Sequence, residues 1–211
     1  MSRKKRRSSK KSRKRPDHWT QKAKAAGYQA RSVFKLEEID RRFSILKNLK
    51  RVVDLGCAPG SWSEHISRRF PKAALVGIDI QQVESYPGDF IHGSILTTPN
   101  SVFFDKLGGS ADLVLSDMAP NTTGNRFGDH IRQLELAKMA LGSAIDLLCV
   151  GGHFVVKVFD GEDAYEYVQS IRPHFERVRR IKPEATRNES VEFFVLGYGR
   201  KKLADEAKEG S

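Results

Sequence analysis

A short apolar run, Val52 to Leu55, stops at Gly56 and is followed by Cys57-Ala58-Pro59-Gly60-Ser61-Trp62. The run reads as a buried strand, Gly56, Pro59 and Gly60 as the turn that ends it, and residues 61–69 as a helix. Strand, glycine turn and helix bring bare backbone close to a nucleotide-like ligand at a helix start. A side chain at Gly56 or Gly60 is expected to fill space the ligand needs. The spacing is not G-x-G-x-x-G, so the glycines alone suggest an ordinary βα turn, and a nicotinamide-dependent oxidoreductase has weak support. Asp79 changes that balance. It closes the next apolar run, Ala74 to Ile78, at the tip of the second strand, about 20 positions on, where a carboxylate grips a ribose diol.

From Arg51 onward strands and helices alternate. Strands are predicted at 51–55, 74–79, 89–92, 112–117, 152–159, 175–181 and 190–198, and helices at 61–69, 98–107, 129–148 and 162–172. In the longest helix Ile131, Leu134, Ala137, Leu141, Ala144, Ile145 and Leu148 make one apolar stripe; Asp129 is its expected cap and Gly151-Gly152 its expected end. Such alternation predicts an α/β fold, a largely parallel sheet with helices on both faces. Residues 182–189 leave no room for a crossover helix, so the last two strands are expected to pair as an antiparallel edge hairpin. Upstream, Val33, Leu36, Ile39 and Phe43 form a helical stripe with Ser32 as a candidate N-cap, and Arg31, Lys35, Glu38 and Arg42 lie off it as a solvated, ion-paired row.

The chain has 211 residues, room for one sizeable core, and no second domain is evident in 16–200. Of the formal net charge of +11, ten units fall in residues 1–15, which contain no acid. That run cannot bury enough surface to fold alone. It is either a solvated tail without a specific role or a nonspecific phosphate-binding arm, and both readings stand. Residues 201–211 are expected to fray. Cys57 and Cys149 form no C-x-x-C pair, and the six histidines show no paired ligand spacing, so no metal is expected. No apolar run has the length of a membrane span, and the N-terminus lacks the apolar core of a signal peptide. A cytoplasmic protein without a membrane partner is the expectation.

Polar residues at the carboxyl ends of the predicted strands mark the ligand side of such a sheet. They are Asp54, Asp79, Ser94, Asp117 and, within Val155-Val156-Lys157-Val158-Phe159, Lys157. A lysine in an apolar strand loses hydration, which favours its neutral form and suits a general base. Equally, its stem can be buried with the head in water. Asp117 on the neighbouring strand end is placed to orient that amine, and Glu192 to hold a second cation.

Five ordered stretches then carry a family resemblance: Ala30-Arg31-Ser32-Val33-Phe34-Lys35-Leu36, Asp54 through Trp62, Ser116-Asp117-Met118-Ala119-Pro120, Val156-Lys157, and Lys182-Pro183 through Glu192. The sequence resembles the FtsJ-type, RlmE-like family of S-adenosylmethionine-dependent ribose 2′-O-methyltransferases, from about Asp17 to Lys201. The resemblance implies a Rossmann-like class I methyltransferase with a seven-stranded sheet and one antiparallel strand. It implies a catalytic Lys-Asp-Lys-Glu tetrad at Lys35, Asp117, Lys157 and Glu192, and donor contacts at Gly60, Trp62, Asp79 and Asp117, with Trp62 walling the pocket; Gly56 and Pro59 of the turn and Ser94 after the third strand are further candidates for donor contact. Many relatives have aspartate where this chain has Ser94, and arginine or leucine at Gln29. The implied reaction is methyl transfer to a 2′-hydroxyl of RNA, a uridine of large-subunit ribosomal RNA by the RlmE-like members; a monomer is the separate expectation for the chain. The alternatives are the tRNA anticodon loop, which close relatives modify, and a non-catalytic RNA-binding module.

Overall fold

The side chains of Arg51–Leu55, β1, alternate across a sheet: Val53 and Leu55 enter one core cluster and Val52 the other. β2 (Ala74–Asp79), β3 (Asp89–His92), β4 (Ala111–Ser116), β5 (Leu148–Phe159), β6 (Phe175–Ile181) and β7 (Glu192–Arg200) join it in one seven-stranded sheet of order β3-β2-β1-β4-β5-β7-β6. β1 to β5 pair in parallel, and β7 runs antiparallel between β5 and β6. The computed structural model describes residues 17–187 and 189–202. The basic run 1–15 and most of the expected C-terminal fray, 203–211, lie outside the described residues.

The described residues also form α-helices α1 (His18–Ala25), α2 (Val33–Phe43), α3 (Ser61–Arg69), α4 (Asn100–Leu107), α5 (Arg126–Leu147) and α6 (Ala164–Ile171). α4, α5 and α6 bury Phe103, Leu134, Ala137 and Tyr167 against Val114, Phe154 and Val156 on one face. α2 and α3 bury Leu36, Ile39, Trp62 and Ile66 against Leu113, Val155 and Phe194 on the other. α1 joins α2 through a satellite of Ala23, Val33, Phe34 and Ala185.

The sheet and its single antiparallel strand agree with expectation, whereas several local assignments are corrected. The last two strands pair as the expected hairpin at one edge of the sheet, with β6 outermost and β7 inside it. Burial explains it: Phe193, Phe194, Val195 and Leu196 are all buried, while β6 alternates one buried residue with two exposed charged ones. Charges along an edge strand discourage further pairing. Helix α5 starts earlier than expected. Asn125 caps it, accepting from the Gly128 N–H, and Asp129 instead accepts from the Thr123 and Gly124 N–H groups of the preceding loop. It also ends at Leu147, because Leu148 already belongs to β5, and Gly151-Gly152 lie inside that strand. Ser32 has helical backbone and no capping bond. The row off the α2 stripe is not uniformly solvated either: Lys35 is buried, and the Glu38 carboxylate accepts from the Glu184 N–H as well as pairing with Arg42.

Candidate active site

The turn after β1 is built on backbone conformation. Gly56 has φ +74° and Gly60 φ +104°, the left-handed region where a Cβ is strained. The N–H groups of Gly56 and Cys57 both reach the Ile78 carbonyl, at 2.8 and 3.2 Å, and the Gly60 N–H reaches the Cys57 carbonyl at 2.6 Å. Asp79, at the tip of β2, completes the turn from outside. Its Oδ2 accepts from the Ala58 N–H at 2.9 Å and its Oδ1 from the Gln81 N–H at 2.8 Å. The surroundings of an added Cβ differ between the two glycines. A Cβ on Gly56 would lie 2.4 Å from Met118 Cγ, so this glycine admits Met118. A Cβ on Gly60 would meet Val83 Cγ1 at an ordinary 3.7 Å, so the requirement there is conformational.

Beneath the turn Asp54 is buried at 1 % exposure. The Ser63 hydroxyl donates to it, and that oxygen is also 2.7 Å from the Tyr86 hydroxyl. Loss of hydration raises the Asp54 carboxyl from 3.8 to about 7; the Ser63 bond opposes the shift, and the Asp117 and Asp79 carboxylates reinforce it. Burial likewise raises the Cys57 thiol, which removes it as a thiolate nucleophile at neutral pH.

A cavity of ≈ 490 Å³ opens over this turn at the carboxyl ends of β1, β2, β3 and β4, lined by Gly56, Asp79, Ser94, Asp117, Met118 and Met139 among others. Ser94 faces it while its hydroxyl accepts from the Leu96 N–H at 3.2 Å, so part of its capacity holds its own turn. Ala58, not Pro59, lines the wall, and the Ala58–Pro59 peptide is cis. Trp62 does not wall the pocket. It is buried in the α2–α3 core, donates from Nε1 to the Ser32 carbonyl at 2.7 Å and packs on Phe194 with centroids 5.8 Å apart. It ties α3 to the start of α2 and is absent from the cavity lining.

Alternation along the strands puts the four tetrad residues together. Leu113 and Leu115 of β4, Val155 of β5 and Phe194 and Leu196 of β7 all face α2 and α3. By the same period Asp117, Lys157 and Glu192 point to that face, and α2 lays Lys35 across it. Two ion pairs result. Lys35 bonds Glu192, and its ammonium lies 5.2 Å from the centroid of the Phe194 ring. Lys157, 7 % exposed, has Nζ 2.9 Å from Asp117 Oδ1. Its aligned hydrogen bond goes to the Asp117 backbone carbonyl at 2.6 Å, and the buried Oδ1 has no aligned donor. Proximity and alignment thus differ at this pair, and the carboxylate oxygen keeps capacity for a further donor. Asp117 is shared by this pair and the cavity.

A second cavity of ≈ 370 Å³, lined by Arg31, Lys35, Arg187, Glu189, Ser190 and Glu192, adjoins the Lys35 pair. Asp17 stands between its arginines, 2.9 Å from Arg31 Nη1 and 3.7 Å from Arg187 Nε. Nothing in the spacing of 17, 31 and 187 signals this group, because it forms only when the loop before β7 folds back over α2. The arginines of β6 are partly committed elsewhere. Arg180 pairs with Asp160 at 2.6 Å over the Phe193 ring, and Arg177 lies over Tyr198.

A glycine turn, a β2 carboxylate and a lysine–aspartate pair around one cavity match what the family resemblance implies, and residues 28–200 match the FtsJ-like methyltransferase family. The chain belongs to that family. It is 40 % identical over 189 residues to ribosomal RNA large subunit methyltransferase E of Desulfatibacillum aliphaticivorans, covering 88 % of this chain and 91 % of the relative. The protein of that name from Zymomonas mobilis is 43 % identical over 182 residues, 85 % of this chain and 82 % of the relative. A crystal structure from Plasmodium falciparum, assigned as a ribosomal RNA methyltransferase, superposes with TM-score 0.73 at 26 % identity, covering 83 % of this chain and all of the other. The N-methyltransferase NodS of Bradyrhizobium japonicum shares the fold alone, with TM-score 0.52 at 13 % identity and coverage of 80 % of this chain and 97 % of the other. As an FtsJ-like methyltransferase the chain is an enzyme of methyl transfer with a Rossmann-like class I fold.

Proposed function

We propose that the protein transfers a methyl group from S-adenosylmethionine to a ribose 2′-hydroxyl of large-subunit ribosomal RNA, at a uridine. The observation that carries the reading is the Lys157–Asp117 pair, in which Lys157 is buried and Asp117 lines the ≈ 490 Å³ cavity. The volume lies in the range of small-molecule and cofactor sites. The residues present fit the donor. Asp79 meets a ribose diol from the tip of β2, the Asp117 carboxylate at the cavity wall can accept from an amino group, and the apolar wall of Ile78, Ile95 and Met118 suits a purine. When bound, the donor supplies an electrophilic methyl carbon on a sulfonium.

Everything else falls to the chain. Lys157 takes the proton of the attacking 2′-hydroxyl, a role it performs as a free amine. Asp117 holds that amine in place. Lys35, kept by Glu192, positions the nucleotide from the α2 side, next to the second cavity. Most of the acceleration comes from aligning hydroxyl oxygen, methyl carbon and sulfur, for which fixed groups are worth several powers of ten.

Lys157→Ala is the direct test. Donor binding by calorimetry should stay near wild type, while transfer to ribosomal RNA falls by about 10²- to 10⁴-fold, the range of a lost general base. Near-wild-type transfer removes Lys157 from that role. Mapping 2′-O-methyl groups in total RNA after gene deletion identifies the acceptor. Loss in a tRNA anticodon loop, with ribosomal RNA intact, overturns the ribosomal assignment.

A further inference from the structure

The end of β5 lacks a strand neighbour on one side, and a helix supplies one. β4 and β5 pair only as far as Ser116 and Val156, after which β4 turns away at Asp117. On the other side of β5 the Asp160 N–H donates to the Val191 carbonyl, so even-numbered positions point at β7. Lys157 and Phe159 therefore direct their backbone groups to the side β4 has left. Unpaired, those groups would carry the cost of buried polar atoms. Gln133 of α5, 1 % exposed, fills the place. Its Nε2 donates to the Lys157 carbonyl, and its Oε1 accepts from the Phe159 N–H at 3.0 Å. One primary amide thus does what the next peptide of β4 would have done. His130, one turn earlier on α5, adds a third tie, with Nδ1 3.2 Å from the Phe159 carbonyl. Gly161 makes room for it, since a Cβ there would lie 2.6 Å from the imidazole.

We infer that Gln133, with His130, is a positioning clamp for Lys157: it fixes the backbone of β5 where the sheet ladder stops, and so holds the lysine amine against Asp117. The same helix fixes the loop that follows Asp117. Asp129 accepts from the Thr123 and Gly124 N–H groups at 2.9 and 3.1 Å and pairs with Arg132. The same stretch of α5 thereby ties both the end of β5 beyond Lys157 and the loop that follows Asp117. The inference rests on the proposed role of Lys157 for its catalytic consequence, but its geometric content is independent of any substrate.

The test uses the full chain with Gln133→Leu, which keeps the bulk and removes both bonds, and Gln133→Glu, in which only the protonated carboxyl can donate to the Lys157 carbonyl. Two measurements separate the clamp from the proposed reaction. The first is competitive labelling of lysines by acetic anhydride, read by mass spectrometry as the Lys157-to-Lys35 ratio within one sample. In Gln133→Leu that ratio should rise severalfold, whereas general loosening of the fold raises both. An unchanged ratio overturns the clamp, whatever the activity. The second is single-turnover methyl transfer to ribosomal RNA at saturating donor. For Gln133→Leu it should fall by about 10²-fold, the effect of misplacing a reacting group by about 1 Å, with donor affinity within twofold of wild type. For Gln133→Glu the rate relative to wild type should climb as pH is lowered, since protonation restores the donor. A pH-independent ratio, or a Gln133→Leu rate within twofold of wild type per folded molecule, overturns the clamp. An inert wild type with a raised labelling ratio in Gln133→Leu keeps the clamp and removes the RNA methylation reading.

Discussion

Gly56→Ala separates two reasons for a glycine in the turn after β1. If the residue serves only the ligand, the ligand-free protein should tolerate a methyl group there. The structure places Met118 in that space instead, with Cγ 2.4 Å, Cα 3.1 Å and Cβ 3.2 Å from the added Cβ. Backbone at φ +74° adds a left-handed penalty of about 1–2 kcal/mol for a non-glycine residue. Overpacking against Met118 adds about 1–3 kcal/mol. Urea denaturation of the ligand-free variant should therefore show a loss of about 2–5 kcal/mol, a large share of the stability of a domain this size. Combined with Met118→Ala, which deletes the nearest atom but leaves Cα and Cβ, Gly56→Ala should cost about 1–3 kcal/mol less than it does alone. Gly60→Ala, whose Cβ would make only an ordinary contact with Val83, should cost only the backbone part, about 1–2 kcal/mol. A Gly56→Ala protein as stable as wild type without donor, yet impaired in donor binding by calorimetry, would refute the Met118 argument and return the glycine to the ligand.

Two other perturbations probe different parts of the molecule. Asp54 keeps its proton to about 7 in the folded protein against 3.8 when unfolded, so the fold binds the extra proton between those limits and stability falls as pH rises through them. Asp54→Asn should gain on wild type across that interval, by on the order of 4 kcal/mol between acid and neutral pH, and a constant difference refutes it. The comparison must be between variant and wild type, because His65, lowered by burial from 6.5 to about 4, titrates in the opposite sense over much of the same range. Deleting residues 1–15, which hold ten basic side chains, should flatten the salt dependence of RNA affinity by about 0.7 in log–log slope for each phosphate the run contacts. An unchanged slope makes the run a bystander.

The sheet was legible because its signals are local. Apolar runs of strand length, broken by glycine or proline and alternating with helical stripes, specify strands and helices from nearest neighbours alone. The glycine turn and Asp79 were legible for the same reason, being the carboxyl ends of two adjacent strands. Trp62 was misplaced because the sequence shows only its position in the motif. Its indole N–H found the Ser32 carbonyl 30 residues upstream and turned the ring into the core. Gln133 carries no signal at all. A glutamine in a helix stripe looks like a polar interruption until the end of β4 leaves two backbone groups of β5 without partners.

By itself the sequence determined the α/β class, the strand count, the reversed strand near the C-terminus and which polar residues stand at the strand ends, since each depends on side-chain period and on turn geometry within a few residues. Tertiary structure alone decided which of those residues meet. Lys35 and Glu192 are 157 positions apart and Lys157 and the Asp117 carbonyl 40. Insertion of β7 between β5 and β6 turns Glu192 toward α2, and the early end of β4 lets Lys157 reach Asp117. The physical reason is register. A strand commits its side chains to two faces, but its partner and the point where pairing stops are fixed by the packing of the whole sheet.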